Sequence, residues 1–499
     1  MKRTFSSTPL SPRGLCYGIL MASVIARNSI CLADEFPEPP PQIKTYDLIV
    51  SSAAEPKPAL KYRLLPDLNE CVPGNAASHY VRALLLFAPT DHGPKEQKHF
   101  ESEWYGKPYD QLPVDEVREW LNAQKQVIDV LMMASRCEGC DWGFRFQDLR
   151  GRAVIEFPMP EIQHMRQMAR ILNLKVAIEI GEKKFDEALE TLKIQYCLAR
   201  DLGKVPSLIA NLVGVAVQAI ANDSLIDLMS SEGSPNVYWA LRDLPSPLIN
   251  LRSAVRLEAS MVPRLFPFLE DAEKSMRTSE EWRRLLFDSY AWVESEFGSK
   301  TVDEAKVQSM FDSLMTRSYP IAKRELIASG YDAENVDRMP VGQVVAIYVG
   351  KCHREMMDQV VKWMSVPYAE GHVRLKSLTE ELILKGYVKR GPDSFADRDP
   401  LLFNSQLSFS FEQFNEAANR QPRLLAAMSV VEAIRLHASS HSGMLPKDLN
   451  EITEVTVPDD PATGKPFLYR IVDGQAELLG PPTMPGVENS GRRFRLKLR

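Results

Sequence analysis
Apolar side chains recur at three- and four-residue spacing along most of this chain, the mark of helices that bury one face. Between residues 160 and 181 the stripe is Ile162, Met165, Met168, Ala169, Leu172, Val176 and Ala177. Pro160 suits a first turn, where a missing N–H costs nothing, and Gly181 reads as a left-handed C-cap. Phe185, Ala188, Leu189, Leu192, Tyr196 and Ala199 form a second stripe, closed by Gly203. Small Ala169, Ala177, Ala188 and Ala199 allow the two helices a close approach. A third stretch, Pro206 to Met229, is apolar around most of its circumference. Such a helix either spans a bilayer or lies in a core. Asn211, Gln218 and Asn222-Asp223 interrupt it, which favours the central core helix. Further stripes predict helices over residues 114–136, 280–293, 302–329, 341–366, 374–385 and 424–438.

Strand signals are few and gather at the end. Residues 467–472 and 475–479 flank Asp473-Gly474, a dipeptide suited to a two-residue hairpin turn. Arg493 to Arg499 alternates basic and apolar residues, which predicts a third, solvated edge strand with Phe494, Leu496 and Leu498 inward. Its outer cations offer contact with anionic lipid or an acidic partner. The expected fold is mostly α: a helical-hairpin body over residues 60–385, a linker at 386–404, and a small discrete α+β module at 405–499. Pro37-Glu38-Pro39-Pro40-Pro41 marks residues 34–59 as a stiff linker.

Residues 1–33 change the picture of compartment. Lys2, Arg3 and Arg13 precede the apolar run Gly14 to Ala26, which is too short to cross a hydrocarbon core, and Cys31-Leu32-Ala33 places small residues before Asp34. This is the pattern of a secretory signal peptide cleaved after Ala33, giving a periplasmic or extracellular protein; retention as an anchor is the alternative. Loss of the four basic residues in that segment takes the net charge from −6 to −10, which argues against a nucleic-acid partner.

After cleavage five cysteines remain: Cys71, Cys137, Cys140, Cys197 and Cys352. Cys137-Glu138-Gly139-Cys140 follows a predicted helix and precedes a loop. It lacks the strand-to-helix setting of a redox pair and is half of a zinc site, so it reads as a local disulfide or as one cysteine paired elsewhere. His353 and Glu355, two apart on a helix, do not face each other, and His353 is read as solvated or interfacial. H-E-x-x-H, G-x-S-x-G, P-loop and G-x-G-x-x-G motifs are absent from the sequence. No cofactor, metal ligand or catalytic residue is assigned. Arg252 and Arg256, one turn apart, have the spacing to hold a carboxylate or phosphate, although a solvated face is the plainer reading.

Several stretches keep a recognisable order: Leu60-Lys61-Tyr62-Arg63-Leu64-Leu65-Pro66, Pro73-Gly74-Asn75-Ala76-Ala77, Cys140-Asp141-Trp142-Gly143 and Asn236-Val237-Tyr238-Trp239-Ala240-Leu241. Over residues 60–260 the chain resembles a family of secreted helical proteins common in planctomycete bacteria. The resemblance implies export and a helical architecture and carries no catalytic residue. Gly181 to Leu189 resembles one tetratricopeptide-type helix pair. Gly443-Met444-Leu445-Pro446, Asp460-Pro461 and Gly464-Lys465-Pro466-Phe467-Leu468-Tyr469 resemble the globular region of type II secretion pseudopilins. The prepilin cleavage motif and a membrane helix are missing at this position, so local fold similarity is all that follows. The expected function is an exported, non-enzymatic protein-interaction or scaffold role at the cell envelope, with a protein or peptide partner. The alternative is an envelope enzyme with a polar site near Asp141, Trp142, Arg252, Arg256 and Glu258.

Overall fold
The computed structural model describes residues 43–87, 103–297, 303–384, 411–483 and 488–499. The expected signal segment and the 386–404 linker lie outside the described residues. In chain order the principal elements are β1 (Lys44–Val50), β2 (Val72–Asn75), α1 (Ala76–Phe87), α2 (Val114–Ala123), α3 (Lys125–Ser135) and β3 (Cys137–Gly139). Then follow α4 (Pro160–Gly181), α5 (Phe185–Gly203), α6 (Leu208–Ser230), α7 (Arg252–Ala259), α8 (Ser279–Phe297), α9 (Glu304–Ala328), α10 (Val341–Met364) and α11 (Tyr368–Leu384). The chain ends with α12 (Phe411–Ser440), β4 (Leu468–Val472), β5 (Gln475–Gly480) and β6 (Arg492–Leu498). The molecule is mostly helical with a small C-terminal sheet. The expected single helix over 114–136 is two, broken at the buried Gln124.

Among the described residues, two compact units divide the chain. One holds Arg145–Pro158 and Val255–Asn415; the other holds the stretch up to Phe144, Met159–Ala254 and Glu416–Arg499. In the first, α8, α9 and α10 enclose an aromatic core of Phe266, Phe268, Trp282, Tyr290, Trp292 and Phe311. His353 on α10 is buried there, with Nε2 3.1 Å from the Ala259 carbonyl. It is a core histidine and not the solvated one expected.

In the second unit α4, α5 and α6 pack on one another. α6 is long and apolar enough to cross a membrane, but two thirds of its most apolar window is buried inside the unit, so the core reading holds. α5 is buried as thoroughly, between α4, α6 and α3. Gly181 and Gly203 do not serve as left-handed caps. A Cβ on Gly181 would lie 2.1 Å from the Tyr109 ring, and one on Gly203 would lie 3.0 Å from Ile249. The left-handed residue after α4 is Lys183, at φ 59°. These glycines are needed for close approach, and the turn is made elsewhere.

The sheet has the order β1-β6-β5-β4, with β1 parallel to β6 and the other pairs antiparallel. Asp473 at φ 51° and Gly474 at φ 76° form the expected hairpin turn. Phe494 and Leu496 face inward as expected, but β6 is an inner strand, because β1 takes the position the sequence left open. β1 itself falls within residues 34–59, read as linker. The outward cations of β6 are answered from neighbouring strands: Arg493 Nε is 3.1 Å from Glu477, and Arg495 is 3.6 Å from Asp47. These two arginines are thus paired, while Lys497 is exposed.

The C-terminal residues are also not a discrete module. Arg435 on α12 is fully buried, and its guanidinium donates to Glu432 Oε1 at 2.6 Å, to the Ser51 carbonyl at 2.9 Å and to the Ser234 carbonyl at 2.9 Å. Glu432 Oε2 in turn accepts the Val237 N–H at 2.9 Å, and Asn236 Nδ2 donates to the Glu432 carbonyl at 2.9 Å. Trp239 Nε1 donates to Glu55 at 2.7 Å. The Asn-Val-Tyr-Trp stretch is thus a clasp joining the exit of β1 to α12. Arg423 makes a second buried pair with Asp460 at 2.6 Å.

Candidate functional site
The residues singled out from the sequence are divided between the two units. Asp141, Trp142 and Arg252 belong to the second unit, whereas Arg256 and Glu258 belong to the first. Both arginines are exposed on α7, as the solvated-face reading has it. Asp141 builds a loop: its Oδ1 accepts the Gly143 N–H at 2.8 Å, where Gly143 takes φ 71°. Asn75 clamps that loop, with Oδ1 2.8 Å from the Asp141 N–H and Nδ2 2.7 Å from its carbonyl, and also accepts the Ala77 N–H at the start of α1. Trp142 stacks on Tyr80 at 5.7 Å, and the Tyr80 hydroxyl donates to buried Asp201 at 3.0 Å. These residues are framework.

The expected Cys137–Cys140 disulfide is not formed; all five cysteines between 71 and 352 are free thiols. Cys137 begins β3, an extended strand paired with β2. Three residues of extended chain span about 10 Å, beyond the roughly 4.4–6.8 Å between bridged Cα atoms. Burial pushes the Cys140 and Cys197 thiols up to about 12 and raises Cys137 as well. Thiols held protonated are poor nucleophiles.

The structure gathers a different set. α4 carries Arg166, Arg170 and Asn173 on one side, beside the apolar face that places the helix. Asn173 Nδ2 donates to Ser224 Oγ on α6 at 2.7 Å. Two residues earlier, buried Asn222 accepts from the Tyr196 hydroxyl at 2.6 Å and donates to Gln421 on α12 at 2.8 Å. Asp223 lies 3.6 Å from Lys44 of β1. Arg170 lies 5.0 Å over the Tyr105 ring. Polar contacts from three successive residues of α6 thus tie it to α4, α12 and β1.

The electrostatics there are unbalanced. Burial, and then the charge of Arg170, lower the pKa of Arg166. The Nε atoms of Arg166, Arg170 and Arg420 are enclosed and have no hydrogen-bond partner among the described residues. Arg492 is also lowered, by burial and by the neighbouring Arg420 and Arg423. At the far end of the α6 row, burial and Asp223 push Asp227 up to about 6. Enclosed guanidinium groups side by side suit a carboxylate or phosphate, which accepts their N–H groups in pairs.

Two arginines one turn apart also occur at Arg252 and Arg256, the pair singled out in the sequence. Arg166 and Arg170 have the same spacing, on a helix read only for its apolar stripe. No family model, curated protein or solved structure matches the chain.

Proposed function
We propose that this chain is an exported, non-enzymatic interaction or scaffold protein of the cell envelope, and that the Arg166–Arg170 face holds a carboxylate- or phosphate-bearing segment of its partner. The observation that carries the reading is the partly buried Arg166 guanidinium, whose Nε has no hydrogen-bond partner among the described residues, beside the second guanidinium of Arg170. An anionic partner would satisfy that donor and offset the repulsion between the two cations. The α4–α5 hairpin, read as tetratricopeptide-like, supplies the rigid wall on which the arginines stand. The raised thiols of Cys140 and Cys197 fit a structural role for the cysteines. The basic and apolar pattern of residues 2–33 supports export.

The test is titration of the purified protein with a glutamate-rich peptide, alongside melting in phosphate against chloride at matched ionic strength. Binding is expected to weaken at least about tenfold in Arg166→Ala and in Arg170→Ala, since charge-assisted hydrogen bonds contribute roughly 1.5–3 kcal/mol. Equal binding by wild type and both variants would overturn the reading. So would an Arg166→Met protein that melts higher and still binds, which would make Arg166 merely an unfavourable buried charge.

A further inference from the structure
The C-terminal end of α12 brings together side chains that the Arg166–Arg170 face does not use. His437 and His441 are four residues apart, so their side chains share one side of the helix end. Beyond Ser440 the chain reverses through Ser442 at φ 56° and Gly443 at φ 80°, with the Gly443 N–H 2.8 Å from the Ala438 carbonyl. Glycine suits the second of these positions. The returning segment passes the short turn Leu449–Glu451 and sets Glu454 against the two imidazoles.

The geometry there is close. Glu454 Oε2 lies 3.4 Å from His437 Nδ1, and Oε1 lies 3.4 Å from His441 Nδ1. The rings are stacked with centroids 3.8 Å apart. Ligand atoms from all three residues fall within 4.8 Å of one another. In a tetrahedral centre with zinc–ligand bonds of roughly 2.0–2.1 Å, neighbouring donors sit about 3.3 Å apart, so both carboxylate-to-imidazole distances match one edge of such a centre.

The carboxylate is also held in place. Ser440 Oγ donates to Oε1, and the Thr453 N–H donates to Oε2 at 3.0 Å. His437 is nearly enclosed, whereas His441 is 45% exposed, which leaves an approach from solvent. A donor set of two imidazoles and one carboxylate matches borderline divalent ions, zinc first among them. Orientation of a ligand by neighbouring hydrogen bonds is what metal centres require.

We propose that His437, His441 and Glu454 bind a zinc-class divalent cation, with Ser440 as a positioning residue and one coordination position left to water or to a ligand. The proposal stands apart from the anion-binding face and does not depend on it.

The experiment is titration of tag-free, chelator-stripped protein with Zn2+, repeated with Co2+ followed by absorbance. One Zn2+ per chain is expected, with binding lost in His441→Ala and in Glu454→Gln and unchanged in His372→Ala, a histidine outside the cluster. Ser440→Ala should weaken affinity by roughly tenfold, the scale of outer-shell changes. The Co2+ spectrum should lack a thiolate charge-transfer band. Absence of saturable Zn2+ binding would overturn the proposal. So would binding that survives both ligand variants, or a thiolate band that assigns the ion to the free cysteines. Circular dichroism of each variant separates lost binding from lost folding, and a folded His441→Ala that binds like wild type counts against the site.

Discussion

Replacing Arg435 by Met tests whether the C-terminal residues are built into the helical unit. The wild-type guanidinium is fully buried, and Glu432 beside it is fully buried as well. After Arg435→Met the Glu432 carboxylate keeps the Val237 N–H at 2.9 Å and loses its counter-ion. An uncompensated buried charge of this kind costs about 3–5 kcal/mol. The carbonyls of Ser51 and Ser234 lose donors that were 2.9 Å away, each worth roughly 1–3 kcal/mol if left unsatisfied. These losses share one network and do not simply add. We therefore expect at least about 4 kcal/mol, a large part of a typical stability of roughly 5–15 kcal/mol. Urea unfolding followed by tryptophan fluorescence and by circular dichroism measures it. The double variant Glu432→Met/Arg435→Met should recover part of the loss, because it removes the orphaned charge. A single-variant loss below about 1 kcal/mol would refute the reasoning, since it would mean the pair is solvated or the clasp is open.

Other outcomes follow from the same packing. An isolated 405–499 fragment lacks β1 and the Ser234–Val237 clasp, so its amides should exchange uniformly fast; protected β5 and β6 amides would contradict this. Gly480→Ala places a Cβ 2.9 Å from the Arg423 guanidinium, which should disturb the Arg423–Asp460 pair and cost about 1–3 kcal/mol by overpacking; an unchanged melting temperature would count against it. Asp227 has a folded pKa of about 6, above its ordinary 3.8, so its contribution is fully present below pH 3.8 and is lost as pH rises through 6. Because the side chain is partly exposed, screening reduces the effect to roughly 1 kcal/mol, and Asp227→Asn should flatten stability across that window; an identical slope in both proteins would remove the assignment. Cys140 and Cys197, pushed up to about 12, should react with a thiol reagent at neutral pH only after denaturant is added, and fast labelling of the native protein would show an open site.

The elements that were legible in the sequence are those whose partners are local. The α6 core helix announces itself by being apolar all round, and the Asp473-Gly474 hairpin by its turn chemistry and short register. β1 was not legible, because a parallel strand needs a distant partner, and residues 44–50 follow a proline-rich stretch that resembles a linker. Without β1, β6 looked like a charged edge. Arg166 and Arg170 are polar residues beside an apolar stripe, which in sequence is indistinguishable from a solvated face; only the fold brings the Tyr105 ring over Arg170. His437 and His441 show helical spacing, but their third partner arrives through a loop whose closure no local pattern encodes. Gly181 and Gly203 were correctly seen as constrained, yet the constraint is a neighbouring ring in one case and Ile249 in the other, not a backbone angle.

The parallel pairing of β1 with β6 sets an order of events. Residues 44–50 leave the ribosome long before residues 492–498, so β1 has no inner neighbour until the whole stretch between them has been made. The sheet cannot close before β6 is synthesised, and the exit of β1 waits likewise for α12. Such widely separated pairings are slow to form. Loss of β6 alone would therefore undo the anchoring of β1, although about 440 residues separate the two strands in the chain.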